Sequence, residues 1–124
     1  MVILSLMEQY PEQLSVIFHA LADPTRRAVL SRLGTGPASI SDLAKPFDMA
    51  LPSFMKHIRL LEGSGLIRTR KSGRVRTCAI DETSFRLAET WLARQRAIWE
   101  SRTDRLEQFV MAAQENDKEK ESPA

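Results

Sequence analysis

One cysteine, two histidines and five glycines stand in a chain of 124 residues, and each scarcity removes a class of chemistry. A lone Cys78 can form no internal disulfide and cannot supply the clustered thiolates of a structural zinc site, so packing must carry the stability. Such sparse thiol usage suits a reducing compartment, and the cytoplasm is expected. His19, His57 and Cys78 fall in separate predicted elements, so no set of soft or imidazole donors converges and neither a metal nor any other cofactor is expected. There is no glycine-rich loop to cradle phosphate, no Ser/His/Asp set and no paired-carboxylate spacing, which argues against an enzyme. Long apolar runs are missing too: none approaches the roughly 18 residues of a membrane span. The stretch from Met1 to Met7 has neither a basic flank nor a small-residue cleavage site for export.

What remains is ordinary in amount and uneven in placement. Hydrophobic residues make up 43% and charged residues 27%, the composition of one folded domain. Net charge is only +2, yet the 21 residues from Lys56 to Arg76 hold seven cations (Lys56, Arg59, Arg68, Arg70, Lys71, Arg74 and Arg76) against Glu62 alone. That segment carries +6 and the rest of the chain −4. A basic band in an otherwise mildly acidic chain is the footprint of a surface that meets a polyanion.

Periodicity places that band on structure. Leu14, Ile17, Phe18 and Leu21 recur at helical spacing and predict a first helix from Pro11 to about Ala22. Asp23-Pro24 reads as an N-cap with proline in the first turn of a second helix ending at Gly34. Ser39, followed three residues on by Asp42, opens a short third helix carrying Ile40, Leu43 and Phe47, cut short by Pro46. A fourth runs from about Pro52 to Gly63 with Phe54, Ile58 and Leu61 on one face and Lys56, His57 and Arg59 on or beside the other. Leu66–Arg70 and Arg74–Ile80 then read as a basic hairpin. Its register stays open, because Ser72-Gly73 fits a two-residue or a longer loop. From about Ser84 to Met111 one long helix spaces Phe85, Leu92, Trp99 and Leu106 by seven residues. Residues 1–10 read as an N-terminal arm, 11–112 as the domain, and 113–124 as a disordered tail without bulky apolar residues.

Two short helices joined by a tight turn and followed by a basic hairpin make a helix-turn-helix with a wing. The expected fold is mainly α, a winged helix-turn-helix with a two-stranded β wing and a long C-terminal dimerisation helix. A helix fits the major groove of duplex DNA while cations follow the phosphates. The candidate DNA-binding residues are therefore Ser53, Met55, Lys56, His57 and Arg59 on the fourth helix and Arg68, Arg70, Lys71, Arg74 and Arg76 on the wing. Trp91 and Trp99, with Leu92 and Leu106, read as packing or dimer anchors rather than walls of a ligand pocket.

From Leu21 to Ile80 the sequence resembles the ArsR family of bacterial winged-helix repressors. The resemblance rests on Leu21-Ala22-Asp23-Pro24-Thr25-Arg26, Ser39 to Leu43, Lys56-His57-Ile58-Arg59-Leu60-Leu61 and Gly65-Leu66-Ile67. It implies a homodimer built on the first and last helices, with Leu14, Ile17, Phe18, Trp91, Leu92, Trp99 and Leu106 at the interface. It also implies a repressor that holds a double-stranded operator of its own operon until a signal, such as a small-molecule effector, releases it. Family metal sensors carry a C-x-C pair where Ser39 and Ser41 stand, and the last helix has no histidine, so the resemblance is to a branch without metal ligands. Ala50, Leu51 and Met55 replace polar residues common in the family, which shifts readout toward thymine methyls or DNA shape. A winged helix used only for protein or RNA contacts shares this fold; the basic wing beside a basic helix favours duplex DNA.

Overall fold

The computed structural model of the chain describes the backbone of residues 2–121 and the side chains of residues 12–116. Five helices and three strands follow in the order α1 (Val2–Leu21), α2 (Pro24–Leu33), β1 (Ala38–Ser39), α3 (Ile40–Ala44), α4 (Leu51–Gly63), β2 (Ile67–Ser72), β3 (Val75–Ile80) and α5 (Glu82–Glu121). The architecture is the mainly helical winged helix-turn-helix expected from the sequence, with a β wing and a long C-terminal helix. The chain divides into two units, residues 1–88 and residues 89–124.

Local chemistry sets the helix starts. The Asp23 carboxylate accepts the Arg26 N–H at 3.0 Å and Pro24 occupies the first turn of α2, where no N–H partner is needed. Ser39 Oγ accepts the Asp42 N–H at 3.1 Å and caps α3. Asp42 itself turns to Lys45, 3.0 Å away, instead of closing the reciprocal half of a capping box. α3 ends at Ala44, so Phe47 lies beyond it and stacks on Phe54 with ring centroids 5.5 Å apart. α1 begins at Val2 and runs through Pro11, so most of the expected arm is helical although Pro11 gives no N–H to the preceding turn. α5 likewise continues to Glu121, past the start of the expected tail, because Ala112 to Glu121 is rich in strong helix formers. Residues 122–124 lie outside the described residues.

The wing is one strand wider than expected. β3 lies between β2 and the two-residue β1, which pairs Ala38 with Cys78 and Ser39 with Thr77. The hairpin register runs antiparallel from Ile67 opposite Ile80 to Ser72 opposite Val75, leaving Gly73-Arg74 as a two-residue loop. Gly73 has φ +61° and no non-glycine described residue has positive φ, the signature of a type II′ turn. Arg74 is therefore at the tip of the turn rather than in a strand.

The core of the first unit is built from Ile17, Val29, Leu33, Leu43, Phe54, Ile58, Leu61, Leu66 and Cys78. Each large side chain fully withdrawn from water contributes about 1.5–3 kcal/mol. Three of the residues expected at a dimer surface stand on α1 beside this core. Ile17 is 0% exposed and Leu14 only 9%, so both belong to the chain's own core, while Phe18 is half-buried.

A polar stitch closes the end of α4. Ser64 Oγ donates to the Leu61 carbonyl at 2.7 Å, Ser84 Oγ donates to the Ser64 carbonyl at 2.9 Å, and Gly65 between them has φ +77°. A Cβ at Gly65 would sit 2.5 Å from Ser84 Oγ. Gly65→Ala is expected to cost about 2–3 kcal/mol in chemical denaturation, from left-handed backbone strain plus the displaced hydrogen bond. In a Ser84→Ala background the same change should cost less. Asp23 supplies a second test. Burial raises its carboxyl pKa, but the Arg26 N–H, the Arg26 charge, the nearby His57 ring and the Thr25 N–H outweigh it and hold the pKa below the ordinary value. A depressed folded-state pKa stabilises above the unfolded value, about 4, and loses that contribution as pH falls through the folded value. Asp23→Asn keeps the cap but not the charge, so its stability deficit should shrink below about pH 4. Asp23→Ala should lose about 1 kcal/mol near neutrality.

Candidate nucleic-acid interface

α4 has one dry side and one wet side. Phe54, Ile58 and Leu61 are buried at 4 and 3 residue spacing, which turns Ser53, Lys56 and Arg59 outward, and all three are exposed. Met55 and His57 are half-buried on opposite flanks of that outward face. Ala50 gives α4 no side-chain cap and Pro52 lies in its first turn, so this helix start presents backbone N–H groups that no side chain has claimed.

The wing distributes its cations over two faces. Cross-strand partners share a side, so Lys71 and Arg76 lie directly opposite one another on the face that continues Ile67, Thr69 and Cys78. Two like charges in that position repel unless an anion lies over them. Arg74 and Arg76 border a notch of about 360 Å³ that also takes in Met55, Ser39 and Ser41, joining the wing tip to the flank of α4 and the start of α3. Arg68 and Arg70 stand on the other face, beside Pro37, Thr77 and Ala79 in a groove of about 620 Å³. Ten residues were expected to form one DNA surface; the structure gathers Met55, Arg74 and Arg76, leaves Ser53, Lys56 and Arg59 exposed on α4, and sets Arg68 and Arg70 apart. Glu62, the one acid of the basic band, braces it. Thr69 Oγ1 donates to Glu62 Oε1 at 3.0 Å, and Arg76 Nη1 donates to Thr69 Oγ1 at 3.4 Å.

Sequence reasoning missed Arg26. This guanidinium is only 6% exposed. Its Nε donates to the Ala20 carbonyl at 2.8 Å, its Nη2 to the His19 carbonyl at 3.0 Å, and its Nη1 lies 3.1 Å from His57 Nδ1. The two carbonyls belong to the last turn of α1, the negative end of that helix, which is where a buried cation is best tolerated. Its position in the Asp-Pro-Thr-Arg run was visible, but no periodicity marks an arginine as buried.

In the second unit, α5 exposes Trp91, Leu92, Ile98, Trp99, Leu106 and Phe109, with Trp99 at 65%. Among the described residues no three His, Cys, Asp or Glu side chains come together as a metal site, and no helix is long and apolar enough to cross a membrane.

A short helix packed behind an open, cation-bearing helix, with a basic wing at its side, defines a winged helix-turn-helix DNA-binding protein. Residues 21–70 match the family model of a helix-turn-helix domain. The HTH-type transcriptional regulator Rv2034 of Mycobacterium tuberculosis is 34% identical over 77 residues, 62% of this chain and 72% of the relative. The transcriptional repressor SdpR of Bacillus subtilis is 28% identical over 76 residues, 61% of this chain and 84% of that protein. The crystal structure of an ArsR family transcriptional regulator, 70% identical, covers 73% of this chain and 94% of its own with a TM-score of 0.72. The chain belongs to the ArsR family of transcriptional regulators.

Cys78 offers a direct check on whether thiol chemistry has access to this site. The side chain is buried, and desolvation, with the Glu62 charge adding and Arg76 opposing, raises its thiol pKa. Little thiolate is available and none is accessible. At pH 8 the native chain should react with a disulfide reagent orders of magnitude more slowly than the denatured chain, at a rate that follows unfolding.

Proposed function

We propose that this regulator acts in the cytoplasm as a homodimer that represses its own operon by holding a pseudo-palindromic operator. The observation that carries the reading is the exposed Lys56 and Arg59 face of α4 beside a wing whose tip cations open on the same notch as Met55. α4 lies in the major groove. Lys56, His57 and Arg59 take phosphates along its edge, while Ser53 and Met55 meet base edges and thymine methyls. The wing stands edge-on to the duplex, so Lys71, Arg74 and Arg76 on one side and Arg68 and Arg70 on the other flank a phosphate chain.

Dimerisation rests on α5. Its exposed Trp91, Leu92, Trp99 and Leu106 form an apolar stripe that a second copy would cover. Twofold symmetry then sets operator half-sites about 34 Å apart, one helical turn. Residues 11–112 form the working domain. A small-molecule effector fits the repressor reading as the signal for release.

Selection from a random duplex pool by the purified full chain tests the whole reading. The expected result is an enriched inverted repeat, and an unenriched pool at low salt would overturn it. Lys71→Ala and Arg74→Ala are expected to weaken binding about equally on all sequences and each reduce the log–log salt slope by about 0.9. Ser53 and Met55 substitutions should instead alter the selected sequence. A wing alanine that lost discrimination at unchanged salt slope would reverse this division of labour.

A further inference from the structure

The most constrained polar cluster in the molecule lies behind the reader helix. Arg26 is held by two α1 carbonyls and meets His57 on α4, and Asp23 Oδ2 lies 3.6 Å from the same ring nitrogen. We infer that Arg26 is a positioning residue for DNA binding: it fixes His57 in the tautomer that carries its proton on Nε2, so that the ring donates outward to a backbone phosphate. The inference rests on α4 being the helix that meets DNA, and adds to that reading a residue no DNA phosphate touches.

Guanidinium chemistry carries the first step. Arginine has five N–H donors and no acceptor, so the 3.1 Å contact between Nη1 and Nδ1 requires the Nδ1 lone pair. The ring proton is then on Nε2. Asp23 does not reverse this assignment. Its Oδ2 is 3.6 Å from Nδ1, beyond hydrogen-bond length, and already accepts the Arg26 N–H at 3.0 Å. Nor can Arg26 easily yield, because leaving would strip the Ala20 carbonyl of its partner, leave the His19 carbonyl with the Ala22 N–H alone, and bury an unpaired charge.

The second step concerns what Nε2 can do. The His57 side chain is 22% exposed, and Nε2 makes no hydrogen bond to any described residue. No buried polar atom there lacks a partner, so Nε2 is open to solvent. A single N–H of fixed direction, on the flank of the helix face that exposes Ser53, Lys56 and Arg59, is what a phosphate oxygen takes up. A histidine free to exchange tautomers would offer that donor only part of the time. The same ring links the end of α1, the start of α2 and the reader helix.

Two substitutions separate the nitrogens. His57→Asn places an oxygen near Nδ1, keeping the acceptor for Arg26 and losing the outward donor; His57→Gln keeps a donor near Nε2 and loses the acceptor. Long-range proton–nitrogen correlation on the labelled full chain, free of DNA, should show His57 wholly as the Nε2–H tautomer, and as a mixture in Arg26→Lys. In titrations of the full chain against a random duplex, His57→Asn should bind roughly 3- to 10-fold more weakly than His57→Gln at an unchanged salt slope, because a neutral ring N–H donates to a phosphate without displacing a counterion. Arg26→Lys combined with His57→Asn should bind no more weakly than the worse single variant, because both remove one contact. Should Arg26→Lys fail to fold, the two His57 variants decide alone. An Nδ1–H tautomer in the wild type, or His57→Asn binding as tightly as His57→Gln, overturns the inference. A wild-type chain that fails to bind duplex DNA would instead strike the DNA reading of α4, with the tautomer result on the free protein standing apart from it.

Discussion

The rest of the molecule depends on the withdrawal of one side of α4 from water. Phe54, Ile58 and Leu61 are almost wholly buried, and Phe47 stacks on Phe54 from the loop before the helix. Rotating α4 by one residue would carry Met55, Arg59 and Glu62 into that seam. The desolvation of an arginine and a glutamate without partners far exceeds what thermal motion supplies. The outward direction of Ser53, Lys56 and Arg59 is thus a by-product of core packing rather than of any contact those residues make.

Charge placement follows a different logic. The basic band costs stability when no polyanion is present, above all where Lys71 faces Arg76 across the hairpin. Glu62 offsets part of that cost through Thr69, and by doing so fastens the wing to the far end of α4. One acid therefore acts both as counter-charge and as brace, which explains why a single glutamate interrupts seven cations. With Arg68 and Arg70 on the opposite face, the hairpin presents a charged edge rather than one charged plane.

Much of this was legible in the sequence, for identifiable reasons. The Asp23-Pro24 cap, the Ser39 cap, the apolar face of α4 and the basic hairpin are signalled by residues within a few positions of each other, and each appears where expected. What was hidden depends on distant partners. The hairpin register turned on whether Gly73 or a longer loop made the turn. β1 is two residues held only by pairing with β3. Leu14 and Ile17 share one stripe with Phe18, and nothing in a helical repeat says which part faces the chain's own core and which faces out. The burial of Arg26 needed the end of α1 and the middle of α4 to meet, and no local pattern encodes that.

The helix starts differ in one further respect. α2 and α3 begin on side chains that close off their first turns, whereas α4 begins on Ala50, which closes off nothing. The first-turn N–H groups of α4 are therefore left without a capping side chain, beside the outward Ser53. Uncapped N–H groups at a helix start carry partial positive charge, so this end of α4 adds to the cationic character of Lys56 and Arg59 with no further basic side chain, while the seam beneath is held by packing alone.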